Sequence, residues 1–249
     1  MIHRPVCLVI GGLDPSGGAG IVADIRAVSA FNCDSAAVVT SITFQNSTNF
    51  FGAEHQSPDS VARQLDAVLS DGNISAIKTG MMPTAEIVRV VASRLKAFDV
   101  PLVIDPVIRS TSGGTLMDDD AIVVMLDILL PLAALITPNV VEAAELTGIQ
   151  INSDEDAHAA ARMLLERGAK AVLIKGGHAK GSMKPGHDLL FTAGGMERFE
   201  TTFVNATMRG TGCSLASAIT VNLALGLDLS SAIQTSKELL SRMLIERSN

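Results

Sequence analysis

The feature that most restricts the fold of this chain is an alternation of two periods. Short runs of aliphatic and β-branched residues at 6–11, 35–40, 76–79, 102–105, 135–137 and 171–175 end in glycine or polar residues and read as strands. Between them, the stretches 18–31, 58–70, 84–97, 118–126, 140–147 and 154–167 carry the spacing of helices. Strands that are apolar throughout are buried on both faces, and a helix between successive strands is the connection that parallel strands require. The expected class is therefore α/β, a three-layer α/β/α sandwich around a mostly parallel sheet. Two stretches break the pattern. Residues 42–56 are polar and aromatic without a helical period and read as a strand-and-loop flap at the sheet edge. Residues 187–203 read as a hairpin, with strands at 188–192 and 198–204 around Ala193-Gly194-Gly195. The last part, 210–247, reads as two helices broken near Gly226. Internal repeats and low-complexity linkers are absent, so one domain is expected over 1–249.

Composition narrows the function classes. At 47% hydrophobic and 18% charged residues, a large core can be buried, and disorder is excluded. There is no Trp and no Tyr, so a ligand ring would be packed mainly by aliphatic and Met side chains. A net charge of -7 argues against a broad nucleic-acid-binding face. Phosphate binding stays open, because backbone N–H groups at helix N-termini bind anions without net positive charge. Cys7, Cys33 and Cys213 are widely spaced, and the five histidines lack metal-ligand spacing, so neither a disulfide framework nor a zinc site is expected. No apolar run is long enough to span a bilayer, and the first run reads as a strand, which points to a reduced, cytoplasmic protein with no membrane partner.

Chemistry-bearing residues gather where strands give way to helices. Gly11-Gly12-Leu13-Asp14-Pro15-Ser16-Gly17-Gly18-Ala19-Gly20 follows the first strand, with Asp24 one turn into the next helix. In an open parallel sheet, ligands bind at such junctions. By itself the run is equally an ordinary tight turn, and Asp24 a solvated helix residue; it is neither a Walker A loop nor a well-formed dinucleotide fingerprint. Arg209-Gly210-Thr211-Gly212-Cys213-Ser214 opens an apolar helix, so its free N–H groups suit a transferring phosphoryl group. Cys213 in the first turn is placed where a thiolate is favoured, although a small buried cysteine is the plain alternative. Thr137-Pro138-Asn139-Val140-Val141-Glu142 is a capping-box pattern, or a site with Asn139 near nucleotide phosphates and Glu142 near a magnesium-bound water. Asp105-Pro106-Val107 and Lys175-Gly176-Gly177-His178 put a carboxylate and a cation at two further strand ends.

With these runs in hand, the chain resembles the hydroxymethylpyrimidine/phosphomethylpyrimidine kinase family of the ribokinase-like superfamily. The resemblance is carried by residues 14–21 with Asp24, Gln45-Asn46, Lys78-Thr79-Gly80-Met81, Asp105-Pro106-Val107, Thr137-Pro138-Asn139 through Glu142-Ala143, Lys175-Gly176-Gly177-His178 and Gly210-Thr211-Gly212-Cys213, in family order. It implies a ribokinase-like sandwich that phosphorylates 4-amino-5-hydroxymethyl-2-methylpyrimidine and its monophosphate with ATP and Mg²⁺ for thiamine biosynthesis. It further implies that Gly12, Ala19, Asp24, Gln45, Met81 and Val107 line the pyrimidine pocket. Asp105, Asn139 and Lys175 would serve ATP, with Glu142 (through water) and Asp105 serving the metal. Gly210, Thr211, Gly212 and Cys213 would form the anion hole and the base, and a homodimer is usual. Thr207-Met208-Arg209 replaces the family's usual His before the Gly-Thr-Gly-Cys run, and Arg109 stands where an apolar residue is common. A pyridoxal or pyridoxine kinase and a non-catalytic binding protein are the alternatives, and a nicotinamide-dependent oxidoreductase rests on the first glycine run alone.

Overall fold

The structure, a computed structural model, describes residues 4–110, 113–176, 187–200 and 210–248, with side chains as far as residue 242. Strand β1 (Val6–Leu13) lies inside a sheet of nine strands in the order β3-β2-β1-β4-β5-β6-β7-β8-β9. Its neighbours β2 (Asp34–Gln45) and β4 (Ile74–Thr79) run parallel to it, as do β5 (Leu102–Ile104), β6 (Leu135–Ile136) and β7 (Ala171–Lys175) beyond. Strands β3 (Phe50–His55), β8 (His187–Thr192) and β9 (Gly195–Glu200) are antiparallel to their neighbours and finish the two edges.

The order decides where the helices go. The chain leaves β1 toward β2 on one side and later returns to β4 on the other. Right-handed crossovers then put α1 (Gly20–Ala30) on one face and α3 (Ala85–Leu95), after β4, on the opposite face. Helix α2 (Pro58–Leu69) packs beside α3, followed by α4 (Asp119–Val124), α5 (Val140–Thr147) and α6 (Asp154–Glu166). Helices α7 (Thr211–Ala224) and α8 (Leu229–Ser248) share the face of α1, with α7 lying over β1, β4 and β5. Each layer closes over β1, where Cys7, Leu8, Val9 and Ile10 are fully buried.

Local chemistry explains most boundaries. Ser57 accepts the Ser60 N–H and Pro58 opens α2 at a position where a missing N–H costs nothing. Asn139 and Ser153 each form a full capping box, and Gly148 ends α5 in a left-handed conformation. Two expectations are corrected and a third is borne out with more regular structure. The helix expected over 118–126 ends at Val124 and continues as a π-helical turn, Met125–Leu129, before a short turn containing Pro131. The strand-and-loop flap expected over 42–56 is found at the sheet edge, with β2 extending to Gln45 and pairing with the edge strand β3. In the late hairpin, β9 starts at Gly195 rather than 198, since Thr192 pairs directly with Gly195 across a two-residue turn; the rest of that expectation, 201–204, lies outside the described residues. The break near Gly226 falls between α7 and α8 as expected.

Candidate active site

In an open α/β sheet the crevice forms where strand order reverses, which here is between β1 and β4. Gly12 near the end of β1 and Met81 just past β4 meet at this point: a Cβ on Gly12 would stand 2.8 Å from the Met81 Sδ. Thr40 of β2 fixes the same corner by donating to the Met81 carbonyl (2.6 Å). Gln45 closes it from the flap, donating to Thr43 (2.8 Å), whose hydroxyl donates in turn to the Leu13 carbonyl (3.1 Å). Ala19 is the residue before α1, and Val107 follows β5 with its N–H donating to the Asp105 carbonyl (2.9 Å).

The glycine run at the start of α7 closes on the first glycine loop. Gly210 has φ of 74°, and a Cβ there would lie 2.4 Å from the Gly18 carbonyl oxygen and 3.0 Å from the Ala19 Cα. No larger residue fits, on both conformational and steric grounds. Thr211, Gly212 and Cys213 then form the first turn of α7, with N–H groups that an isolated helix leaves unpaired. Gly212 opens a gap beside Lys175, since its Cβ would sit 3.3 Å from the ammonium. Lys175, ending β7, bonds Asp105 Oδ1 at 3.0 Å, and the backbone of β7 bridges to Asn139.

Asp24, expected on either a pocket wall or a solvated face, is fully buried. Both of its oxygens receive the Lys78 ammonium, at 3.1 and 3.0 Å, and Ser217 of α7 donates to Oδ1 at 2.8 Å. Lys78 also stands 3.9 Å from Asp105 Oδ2. Burial works against the charge on Lys78, but the carboxylates of Asp24 and Asp105 outweigh it and keep the ammonium protonated. Burial likewise opposes the Asp105 charge, yet Lys175 and Lys78 hold that carboxyl below its usual range. Glu142 behaves differently. Its burial pushes the carboxyl up to about 7, and its hydrogen-bond partner is the Asn139 amide at 2.8 Å.

Cys213 requires a correction. A helix N-terminus favours a thiolate, but here burial pushes the thiol up, Lys78 only partly offsets this, and Asp105 and Asp24 add to the rise. The resting group is a thiol that donates to Asp105. Among the described residues no group of three His, Cys, Asp or Glu side chains is placed to hold a metal. Asp105 already faces two ammonium groups, which makes Glu142 the carboxylate better suited to a hydrated magnesium ion. The positions Gly177, His178 and 207–209 lie outside the described residues.

Comparisons with known proteins show the family and the fold. A family model described as phosphomethylpyrimidine kinase matches residues 14–249. The chain belongs to the phosphomethylpyrimidine kinase family. The hydroxymethylpyrimidine/phosphomethylpyrimidine kinase of Synechococcus elongatus is 41% identical over 96% of this chain and 91% of that protein. The solved phosphomethylpyrimidine kinase of Clostridium difficile has a TM-score of 0.85 at 36% identity, covering 96% of this chain and 99% of that one. A pyridoxal kinase of Staphylococcus aureus, solved with pyridoxal, has a TM-score of 0.86 at 29% identity, covering 97% and 88%. Membership makes the chain a phosphotransferase with ATP as co-substrate and a small molecule as acceptor, on a ribokinase-like fold. No helix among the described residues is long and apolar enough to cross a membrane.

Within this kinase site, sequence reasoning assigned no role to Lys78, Ser217, Thr40 or Thr43. The available signal was Lys78 itself, a charge inside a strand that otherwise reads as fully buried. Its partner Asp24 is distant in sequence, on a different element, and nothing local announces the pair.

Proposed function

We propose that this protein transfers the γ-phosphoryl group of ATP to the hydroxymethyl group of an aminopyrimidine, and then to the resulting monophosphate, in thiamine biosynthesis. The observation that supports this reading is the meeting of two clusters: Gly12, Met81 and Gln45 gather at the end of β1, and Gly210, which opens the turn ending in Cys213 beside Lys175, packs against the Gly18-Ala19 backbone of the loop that follows β1. An amide such as Gln45 both donates to and accepts from an aminopyrimidine edge, and the Met81 thioether packs against its ring.

In this reading the acceptor oxygen forms its bond to the γ-phosphorus as the bond to the β-phosphate oxygen breaks. As the hydroxyl proton moves to the Cys213 sulfur, the thiol gives its own proton to Asp105, and ADP leaves. The N–H groups of Thr211, Gly212 and Cys213 receive the phosphoryl oxygens, and Gly210 brings that turn against the Gly18-Ala19 backbone. Lys175 meets the nucleotide phosphates through the gap at Gly212. Asn139 offers its amide nitrogen there, because its oxygen caps α5 by accepting the Glu142 N–H (2.9 Å). A bound Mg²⁺ supplies charge neutralisation on the phosphates; Glu142 would hold it through water, and Asp105 would contact it only by yielding one of its lysines. The same reading includes one catalytic domain, a homodimer and a cytoplasmic location.

A second reading, a pyridoxal or pyridoxine kinase, is favoured by the close match to the staphylococcal pyridoxal kinase fold. ADP formation with MgATP and hydroxymethylpyrimidine, its monophosphate, or pyridoxine separates them, with products resolved by mass. Sequential mono- and diphosphate of the pyrimidine is the expected result. Turnover on pyridoxine alone would move the protein to the second reading, and ATP binding without any product would leave a binding protein.

A further inference from the structure

Lys78 has no role in the chemistry above, yet it occupies the centre of the site. It belongs to β4, and its side chain is only 1% exposed. Burying an ammonium is strongly unfavourable unless its charge is met. Asp24 meets it with both oxygens, and Asp105 stands on its other side at 3.9 Å. The backbone two residues on is bare to admit the charge: a Cβ on Gly80 would lie 2.8 Å from the Lys78 ammonium. Asp105 in turn bonds Lys175 through its other oxygen. From the pyrimidine wall to the nucleotide side, the order is Asp24, Lys78, Asp105, Lys175, with alternating sign.

We infer that Lys78 is a positioning residue for the nucleotide: by sharing the charge of Asp105, it leaves Lys175 able to meet a phosphate. The inference rests on the kinase reading. A buried carboxylate demands compensation. Without Lys78, Asp105 depends on Lys175 alone, which tightens that pair and withdraws the ammonium from phosphate. Without the charge of Asp24, Lys78 shifts its attraction to Asp105, and Lys175 is released. Two substitutions on the pyrimidine side therefore part in their effect on ATP, Lys78→Met weakening it and Asp24→Asn not, a pattern that general damage to the fold does not produce.

The test is calorimetric titration of MgATP into the protein without pyrimidine, with far-UV circular dichroism confirming the fold of each variant. Lys78→Met is expected to weaken ATP binding by about tenfold. Asp24→Asn is expected to bind ATP as tightly as wild type or more tightly. The double variant Lys78→Met with Asp24→Asn keeps the buried charges balanced, which guards against loss of fold, and it should bind ATP more weakly than Asp24→Asn alone. Should the double variant match Asp24→Asn, or should Asp24→Asn weaken ATP as much as Lys78→Met does, the inference fails while the kinase reading stands. A wild-type protein that does not bind ATP would overturn both.

Discussion

The two faces of the sheet are built from different materials. The face under α2 to α6 is a continuous aliphatic core running from Leu8 and Ile10 through Leu65 and Ile104 to Phe191. The face under α1, α7 and α8 has only smaller apolar clusters, and between them it buries Asp24, Lys78, Ser214, Ser217, Asn222 and Lys237. Lys237 pairs there with Asp188, whose other oxygen accepts the Gly176 N–H at 3.0 Å, so α8 steadies the backbone just past Lys175. The difference teaches a division of labour. One face is held by burial of apolar area, which is non-directional and tolerant of repacking. The other is held by charge pairs that fix geometry at some cost in stability, and the Lys78–Asp24 and Lys175–Asp105 pairs lie on that face.

The largest expected effect strikes the polar face. Cys213→Ala should reduce turnover by about 10²–10⁴-fold, the usual span for loss of a general base, while pyrimidine and ATP binding measured by titration stay close to wild type. Retained turnover would remove the base from Cys213 and leave transfer to electrostatics alone. The matching cut on the apolar face is Leu65→Ala. Leu65 is fully buried between α2 and the sheet, and truncation should cost about 2–5 kcal/mol of stability. Below its lowered melting temperature, that variant should keep wild-type kcat and KM. A kinetic defect in Leu65→Ala would show that the two faces are not separable.

The same contrast explains what could be read before the structure. Strand β7 and helix α5 stand at their expected limits, since a run of aliphatic residues and a capping box are local signals. The full length of β2 was not legible, because Thr40 and Thr43 are buried polar residues whose partners, the Met81 and Leu13 carbonyls, come from other elements. The candidate site residues stood out as glycines and charges at strand ends, and the structure brings Gly12 to Met81, Gly210 to Ala19, and Lys175 to Asp105. What was not legible was their electrostatic state. The rise of the Cys213 thiol depends on burial and on carboxylates from α1 and the end of β5, which meet only in the folded chain.

Glu142 sharpens the comparison by pH. Unlike Asp24 and Asp105, it is met by a backbone amide rather than an ammonium at bonding distance, and its carboxyl is pushed up from 4.5 to about 7. The folded state therefore holds this proton more tightly than the unfolded state. Its stabilising contribution is complete below about 4.5 and is lost as pH rises through about 7. Glu142→Gln keeps a capping side chain but removes the titration. Its melting temperature relative to wild type should rise between pH 5 and pH 8, by about 1–3 kcal/mol in stability. A constant difference across that range would mean Glu142 is ionised throughout.

The smallest expected effect tests whether the polar face tolerates the loss of a supporting bond. Ser217 donates to Asp24 Oδ1, and that oxygen also receives Lys78 at 3.1 Å, so Ser217→Ala leaves no buried carboxylate oxygen without a partner. The cost should be about 1–2 kcal/mol, between a neutral hydrogen bond and the lower end for a bond to a charged group, because the acceptor stays satisfied. In a domain of this size that is a few degrees in melting temperature. Thr220→Ala is the control on the same helix: its hydroxyl donates to the Ala216 carbonyl one turn back, which already serves the helix ladder. That change should cost less than Ser217→Ala. Differential scanning calorimetry of the two variants compares them directly. Equal losses would mean that the Ser217 bond adds nothing beyond side-chain burial, and that the Asp24–Lys78 pair holds its own geometry.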